Sequence, residues 1–268
     1  MTGGAPHFVI FANEKGGTGK STTAVHSAVA LQAAGRRVAA LDLDSRQRTL
    51  GRYLENRAAT IRRIERELPM PHFETFDPDK EDVDAALDRM GADVEIVVVD
   101  TPGRDDPAAR QAMLRADTMV TPINDSFVDL DLIGQVDAET YKVRQPSFYA
   151  ELVWKSRTER AKTTGASVDW VLLRNRLQYV EAHNMRRVGQ ALDELSRRVG
   201  FRVIPGLSER VIYRELFPSG LTLLDLHEIG TSAGLSHIAA RQELREMIAG
   251  FGLPEEGEAA RPRAALAV

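Results

Sequence analysis

The segment Asn13-Glu14-Lys15-Gly16-Gly17-Thr18-Gly19-Lys20-Ser21-Thr22 constrains this chain more than any other. The apolar run from His7 to Asn13 before it suits a strand buried on both faces. Lys20 to Ala34 after it reads as a helix, with Gly35 as its C′ residue. A strand that turns through glycines into a helix lets several backbone N–H groups converge on one point. The helix N-terminus adds the positive end of its dipole there. Lys20 supplies a point charge suited to β- and γ-phosphates, and the Ser21 hydroxyl suits Mg²⁺. The candidate phosphate ligands are therefore Gly16, Gly17, Thr18, Gly19, Lys20, Ser21 and Thr22.

Arg37 to Leu43 reads as a second strand, which completes a strand–turn–helix–strand unit, the seed of a parallel sheet. Further strands are predicted at Glu95–Asp100, Asp117–Ile123, Val168–Leu173 and Phe201–Ile204. Helices are predicted near Asp105–Ala116, Asp129–Tyr141, Ala182–Val199, Glu209–Phe217 and Ser236–Ala249. An earlier helix ends near Glu67, before the break at Pro69-Met70-Pro71. The stretch Tyr149–Ser167 receives no assignment. The fold class expected is α/β: a predominantly parallel, twisted β-sheet flanked by helices on both faces. Residues 1–253 are expected to form a single P-loop domain, and 254–268, mixing Pro, Glu, Ala and Arg, a disordered tail.

Two carboxylates, Asp42 and Asp44, close the second strand. At i and i+2 they point the same way, and at the C-terminal edge of a parallel sheet they face the ligand crevice. Asp42 suits the water shell of a Mg²⁺ ion; a helix N-cap or surface turn is the plain alternative for both residues. Asp100 ends a strand after four apolar residues, a pattern that holds Mg²⁺ through water. The candidate metal residues are thus Ser21, Asp42 and Asp100.

Composition narrows the partners. The chain has no cysteine, which excludes disulfides, cysteine-ligated zinc, iron–sulfur clusters and a cysteine nucleophile. The N-terminus lacks a charged n-region and an apolar h-region, and no apolar run approaches the ~18–20 residues of a membrane span. A cytoplasmic location without a membrane partner is expected. The net charge of −4 excludes a uniformly basic surface. Yet residues 141–215 hold 15 Lys/Arg against 8 Asp/Glu, a net of +7, while the remainder carries −11. The acidic stretch 74–95 reads as a solvated loop and helix. In Ala182–Val199 the residues Val188, Leu192, Leu195 and Val199 form a core stripe. Arg186 aligns with Arg197, and Arg187 with Arg198, about three turns apart. Arg210 and Arg214 form an i, i+4 pair. Such rows suit sequence-independent contact with DNA phosphates; a merely solvated basic face is the alternative.

The loop departs from the generic G-x-x-x-x-G-K-[ST] pattern, because residue 14 is Glu and an additional lysine follows at position 15. Lys15-Gly16-Gly17-Thr18-Gly19-Lys20-Ser21 is similar to the deviant Walker A motif of the ParA/MinD ATPases. The resemblance implies ATP and Mg²⁺ as ligands and an ATP-dependent homodimer. It implies that Lys15 reaches the partner subunit's nucleotide and that Asp44 positions the attacking water, so Lys15, Lys20 and Asp44 are the catalytic candidates. Asp100-Thr101-Pro102-Gly103 resembles the family's second switch loop. Asn175, in Leu173-Arg174-Asn175-Arg176, resembles its adenine-reading Asn, with Pro205-Gly206 covering the base; a plain strand-end Asn is the alternative. MinD-type relatives end in a basic amphipathic helix, which Pro254–Val268 does not resemble.

Within this family the chain most resembles the MipZ members. The motifs are Asn13 to Gly17, Asp42 to Thr49, Asn124-Asp125-Ser126-Phe127-Val128-Asp129, Leu173 to Arg176 and Arg210 to Pro218. An ordinary ParA has Asp-Pro-Gln where this chain has Asp44-Ser45-Arg46-Gln47. The resemblance implies a regulator of division-site placement with slow hydrolysis. Its ATP dimer would bind nucleoid DNA non-specifically and inhibit FtsZ polymerisation, and ParB would recruit the monomer. The location implied is cytoplasmic, nucleoid-associated and enriched toward the cell poles. A ParA-type partition ATPase and a P-loop metabolic ligase remain as alternatives.

Overall fold

The apolar run after Pro6 becomes strand β1 (His7–Phe11), and the glycine turn leads into helix α1 (Lys20–Ala33). The computed structural model describes residues 5–124, 127–137, 143–176, 182–226, 228–230 and 235–255. In chain order there follow β2 (Val38–Asp42), α2 (Thr49–Ile64), β3 (His72–Thr75), α3 (Val83–Gly91) and β4 (Ile96–Asp100). Next come α4 (Pro107–Arg115), β5 (Thr118–Asn124), α5 (Phe127–Leu130), β6 (Gly134–Val136) and β7 (Val143–Pro146). The last are α6 (Phe148–Thr164), β8 (Asp169–Asn175), α7 (Ala182–Val199), β9 (Arg202–Pro205), α8 (Ile212–Leu216) and α9 (Leu235–Gly250).

Seven strands pair in the order β3-β2-β4-β1-β5-β8-β9, and every pairing is parallel. Strands β1, β2 and β4 are buried along their whole length, which is why they read as continuous apolar runs. One face packs Ile10, Leu41, Val99 and Leu172 against α3, α4, α6 and α7. The other packs Val9, Phe11, Val98 and Leu173 against α1, α2 and α9. This is the expected α/β class, with helices on both faces. Parallel pairing brings the C-terminal ends of β1, β2, β4 and β8 to one edge, where a parallel sheet binds its ligand.

Two expected helices need correction, and two elements were not expected. The helix expected over Asp129–Tyr141 does not form: α5 ends at Leu130, and β6 pairs antiparallel with β7. Gly134 lies in that span, where glycine disfavours a helix by about 1 kcal/mol, and the hairpin satisfies the backbone groups instead. Residues 138–141 of that expected helix lie outside the described residues. The helix expected over Glu209–Phe217 is confined to α8 and passes into a 3₁₀ turn at Phe217–Ser219, where Pro218 has no N–H to donate. Tyr149–Ser167, left without assignment, lies mostly in α6, which buries Tyr149, Ala150, Val153 and Ser156 amid many charged residues. Strand β3 was not expected either. It is an edge strand of four partly exposed residues and has no apolar run to announce it. Residues 256–268 of the expected tail lie outside the described residues.

Candidate functional site

The loop between β1 and α1 is shaped by Gly17 and Gly19, both at positive φ. Gly19 is the N-cap of α1 at φ 84° and ψ 16°. Having no side chain, it cannot itself accept from the first-turn N–H groups, which stay directed at the loop. A Cβ at Gly19 would collide with the Asn175 side-chain amide. That amide donates to the Thr18 carbonyl at 2.7 Å, and its oxygen accepts from the Leu207 N–H at 3.0 Å. Asn175 therefore stitches the phosphate loop to the segment after β9. Pro205 ends β9 opposite Arg174, and the Gly206 N–H returns to the Arg174 carbonyl at 2.8 Å.

Lys20 is buried. Its ammonium donates to Asp100 Oδ1 at 2.8 Å and also to the Thr101 carbonyl. Asp100 stands in register with Asp42 on the neighbouring strand, so two carboxylates are buried side by side. Asp42 accepts the Asp44 and Gly51 N–H groups, each at 2.9 Å. Burial and the Asp100 charge nevertheless hold the Asp42 carboxyl above the usual carboxylate range. Ser21 sits on the first turn of α1 beside Lys20. A hard divalent cation suits this set of oxygen donors, and its charge would relieve the crowding of Asp42 and Asp100.

Asp44 is buried at the C-terminal end of β2, where Oδ1 accepts the Arg46 and Gln47 N–H groups at 3.2 and 3.1 Å. Arg104 approaches that oxygen at 3.6 Å from the loop after β4. Sequence reasoning missed Arg104, which joins the two loops that follow β2 and β4. It also missed the partner of Lys15. The Lys15 ammonium forms an ion pair with Asp129, a carboxylate only 2% exposed in the short helix α5 after β5. The second Asp129 oxygen accepts the Asn124 N–H at 3.0 Å.

The arginines expected to form one DNA face are dispersed. Arg186 and Arg187 stand on the first half of α7, after the C-terminal end of β8, and their side chains lie outside the described residues. Arg197 and Arg198 are exposed at the far end of α7, beside α6. Arg214 is exposed and meets Glu209 at 3.1 Å. Arg210 is withdrawn from that surface: it pairs with Glu243 at 2.6 Å and donates to Ser236 at 2.9 Å. The expected i, i+4 helical pair does not form, because α8 starts only at Ile212 and Arg210 precedes it, held instead by Glu243 on α9.

Residues 7–255 match the sequence model of a family described as ATPase MipZ. The chain belongs to the MipZ ATPase family. The septum site-determining protein MinD of Helicobacter pylori is 27% identical over 164 residues, covering 51% of this chain and 61% of that protein. The match thus spans under two thirds of that relative. Apo McdA of Cyanothece superposes with a TM-score of 0.61 at 15% identity, covering 90% of this chain and 98% of McdA. MinD of Aquifex aeolicus gives 0.58 at 13% identity, covering 96% and 99%. A putative plasmid partition protein of Borrelia burgdorferi, bound to AMPPNP, gives 0.55 at 13%, covering 91% and 99%. At these identities the likeness establishes that this chain shares its fold with those proteins.

Proposed function

We propose that this MipZ-family chain is an ATP-switched, dimerising ATPase that regulates the placement of the division site. One observation carries the reading. Lys15 and Lys20 converge on the same loop, and each is held by a carboxylate, Asp129 or Asp100, that nucleotide phosphates would replace. In this reading the N–H groups of Gly16 to Thr22 cradle the phosphates, and Lys20 shifts from Asp100 to the β- and γ-phosphates. Ser21 and Asp100 would hold Mg²⁺, with Asp42 on its water shell. The metal would neutralise charge on the phosphates. Asp44 orients the attacking water, its carboxylate fixed by the Arg46 and Gln47 N–H groups. Lys15 leaves Asp129 and crosses to the partner subunit's nucleotide, which offsets the repulsion of two triphosphates brought face to face.

ATP-dependent dimerisation would double a weak basic surface, so that many phosphate contacts add up to useful DNA affinity. Arg186, Arg187 and Arg214 follow the strands at the site-bearing edge of the sheet and are the candidate contacts. In this reading the DNA-bound dimer inhibits FtsZ polymerisation, ParB recruits the monomer, and the protein collects on the nucleoid toward the poles. No helix among the described residues is long and apolar enough to cross a membrane.

Sedimentation of FtsZ polymers with this protein and ATP tests the function. Loss of pelleted FtsZ is expected with ATP and not with ADP. No inhibition, with ATP-dependent DNA retention preserved, would return the reading to a ParA-type partition ATPase. Absence of nucleotide-dependent DNA retention as well would favour a small-molecule P-loop ligase.

A further inference from the structure

Helix α6 and the end of α7, just before β9, line a groove of about 700 Å³. Its floor is apolar: Ala150, Trp154 and Ala161 from α6 meet Val199 from α7. Four cations surround it, Arg157, Lys162, Arg197 and Arg198, against one carboxylate, Glu151. The groove lies away from the phosphate loop, because Gly200 on its wall is followed directly by the first residues of β9. The groove is also tied together. Arg157 Nη1 donates to the Gly200 carbonyl at 2.6 Å, linking α6 to the end of α7.

Trp154 is 60% exposed, whereas Trp170, the other tryptophan, is 1% exposed in the core. A large aromatic ring left in water forgoes about 25 cal/mol per Å² of burial. Tryptophan and arginine side by side in a concavity have the composition of a protein-interface hot spot. On their own helices Lys162 lies 3.9 Å from Glu159, and Arg198 lies 3.9 Å from Glu194. Exposed pairs of that kind contribute little and yield readily to a better-placed anion. Burial lowers the Arg157 pKa, which shows a guanidinium that would gain from an incoming carboxylate.

We propose that the α6–α7 groove is a docking site for an acidic linear segment of a partner protein. One large apolar side chain of that segment packs on Trp154, and flanking carboxylates reach Lys162, Arg197 and Arg198. Nucleic acid is the weaker match. Duplex DNA presents no apolar knob to the floor formed by Ala150, Ala161 and Val199, and Glu151 on the wall repels phosphate. The site is separate from the nucleotide chemistry and from the proposed DNA contacts Arg186, Arg187 and Arg214.

The test is an array of short synthetic peptides of graded charge, with and without a central Leu, Phe or Trp, probed with the full chain. Solution binding is then read by acrylamide quenching with the Leu-centred peptides, which add no tryptophan signal. Because Trp170 is buried, the quenchable emission belongs to Trp154. Acidic peptides with an apolar centre should bind and shield Trp154, while basic or wholly polar ones should not. Trp154→Ala and Arg198→Glu should each weaken binding by roughly tenfold or more, with ATP-dependent dimerisation unchanged. Arg186→Ala/Arg187→Ala should leave peptide binding intact. Binding to no peptide, equal binding regardless of charge, survival of binding in Trp154→Ala, or equal shielding by an oligo-dT strand would each overturn the proposal.

Discussion

Replacing Asp129 with Asn tests what the signature lysine does. Lys15 is 39% exposed and its partner Asp129 is 2% exposed, so the pair is half-solvated. Its strength belongs near the exposed limit, about 1 kcal/mol, well below the 3–5 kcal/mol of a fully buried pair. If Lys15 must leave Asp129 to reach the other subunit's nucleotide, each dimer breaks two such pairs. Together they oppose association by about 2 kcal/mol, or roughly 30-fold in the dimer dissociation constant. Asn keeps the shape and keeps an oxygen to accept the Asn124 N–H, so the end of β5 should stay folded. Asp129→Asn should therefore tighten the ATP-dependent dimer by roughly 30-fold. Sedimentation equilibrium with a slowly hydrolysed ATP analogue measures it, with thermal melting as the control for folding. The gain should shrink in high salt, where the half-exposed pair in the parent protein is already screened. An unchanged or weaker dimer in a normally folded variant would refute the argument. It would mean that Lys15 keeps Asp129 in the dimer or never crosses.

Asp44→Ala should lower hydrolysis by roughly 10²–10⁴ while keeping ATP binding, and should accumulate as a dimer; a monomer with ATP on size exclusion would contradict the role given to Asp44. His26 is fully buried between Tyr53 and Tyr213, and burial lowers its pKa to about 4. The unfolded chain binds that proton near pH 6.5 and the folded chain does not, so stability is complete above pH 6.5 and is lost as pH falls toward 4. The loss is ~3 kcal/mol over that window, and a His26→Gln variant whose urea midpoint falls just as steeply would refute it. Arg57 and Asp225 form a buried bidentate pair at 2.6 and 2.8 Å. Asp225→Ala should destabilise by about 3–5 kcal/mol, and adding Arg57→Met should recover part of it; a loss below about 1 kcal/mol in urea unfolding would refute the importance of this pair.

The sequence made the central strands legible because β1, β2 and β4 are buried on both faces and show it as unbroken apolar runs. Edge strand β3 lacks that signature, since half of its environment is solvent. The phosphate loop was legible because its chemistry is local: Gly17, Gly19 and Lys20 act within a few residues of one another. The partners of those residues were not. Asp129 lies 114 positions from Lys15, and Asn175 lies 157 positions from Thr18. Helical spacing would place Arg210 beside Arg214, but α8 starts only at Ile212, and the spacing carries no information about Glu243 on α9, 33 positions from Arg210. Periodicity reports which way a residue faces; only the packing of elements reports what it meets.

That limit matters most for how a nucleotide signal would leave the site. Asn175 binds the Thr18 carbonyl on the phosphate loop and the Leu207 N–H after β9. The next residue, Ser208, donates its N–H and hydroxyl to Glu243 at 3.0 and 2.8 Å. Glu243 in turn holds Arg210, just before α8, at 2.6 Å. A continuous chain of hydrogen bonds thus runs from the phosphate loop to the helix that carries Arg214. If the Asn175 amide turns to a nucleobase, this chain opens at its first link. The segment from Leu207 to Arg210 is then held by one contact fewer, and α8 with Arg214 is the element positioned to respond. Coupling of this kind needs two discrete arrangements of α8 with different nucleotide affinity. Glu243→Gln, which weakens the Arg210 pair and leaves Asn175 untouched, should therefore change nucleotide-dependent DNA retention more than nucleotide affinity itself. Equal effects on both would place Glu243 in the fold's support and outside any such relay.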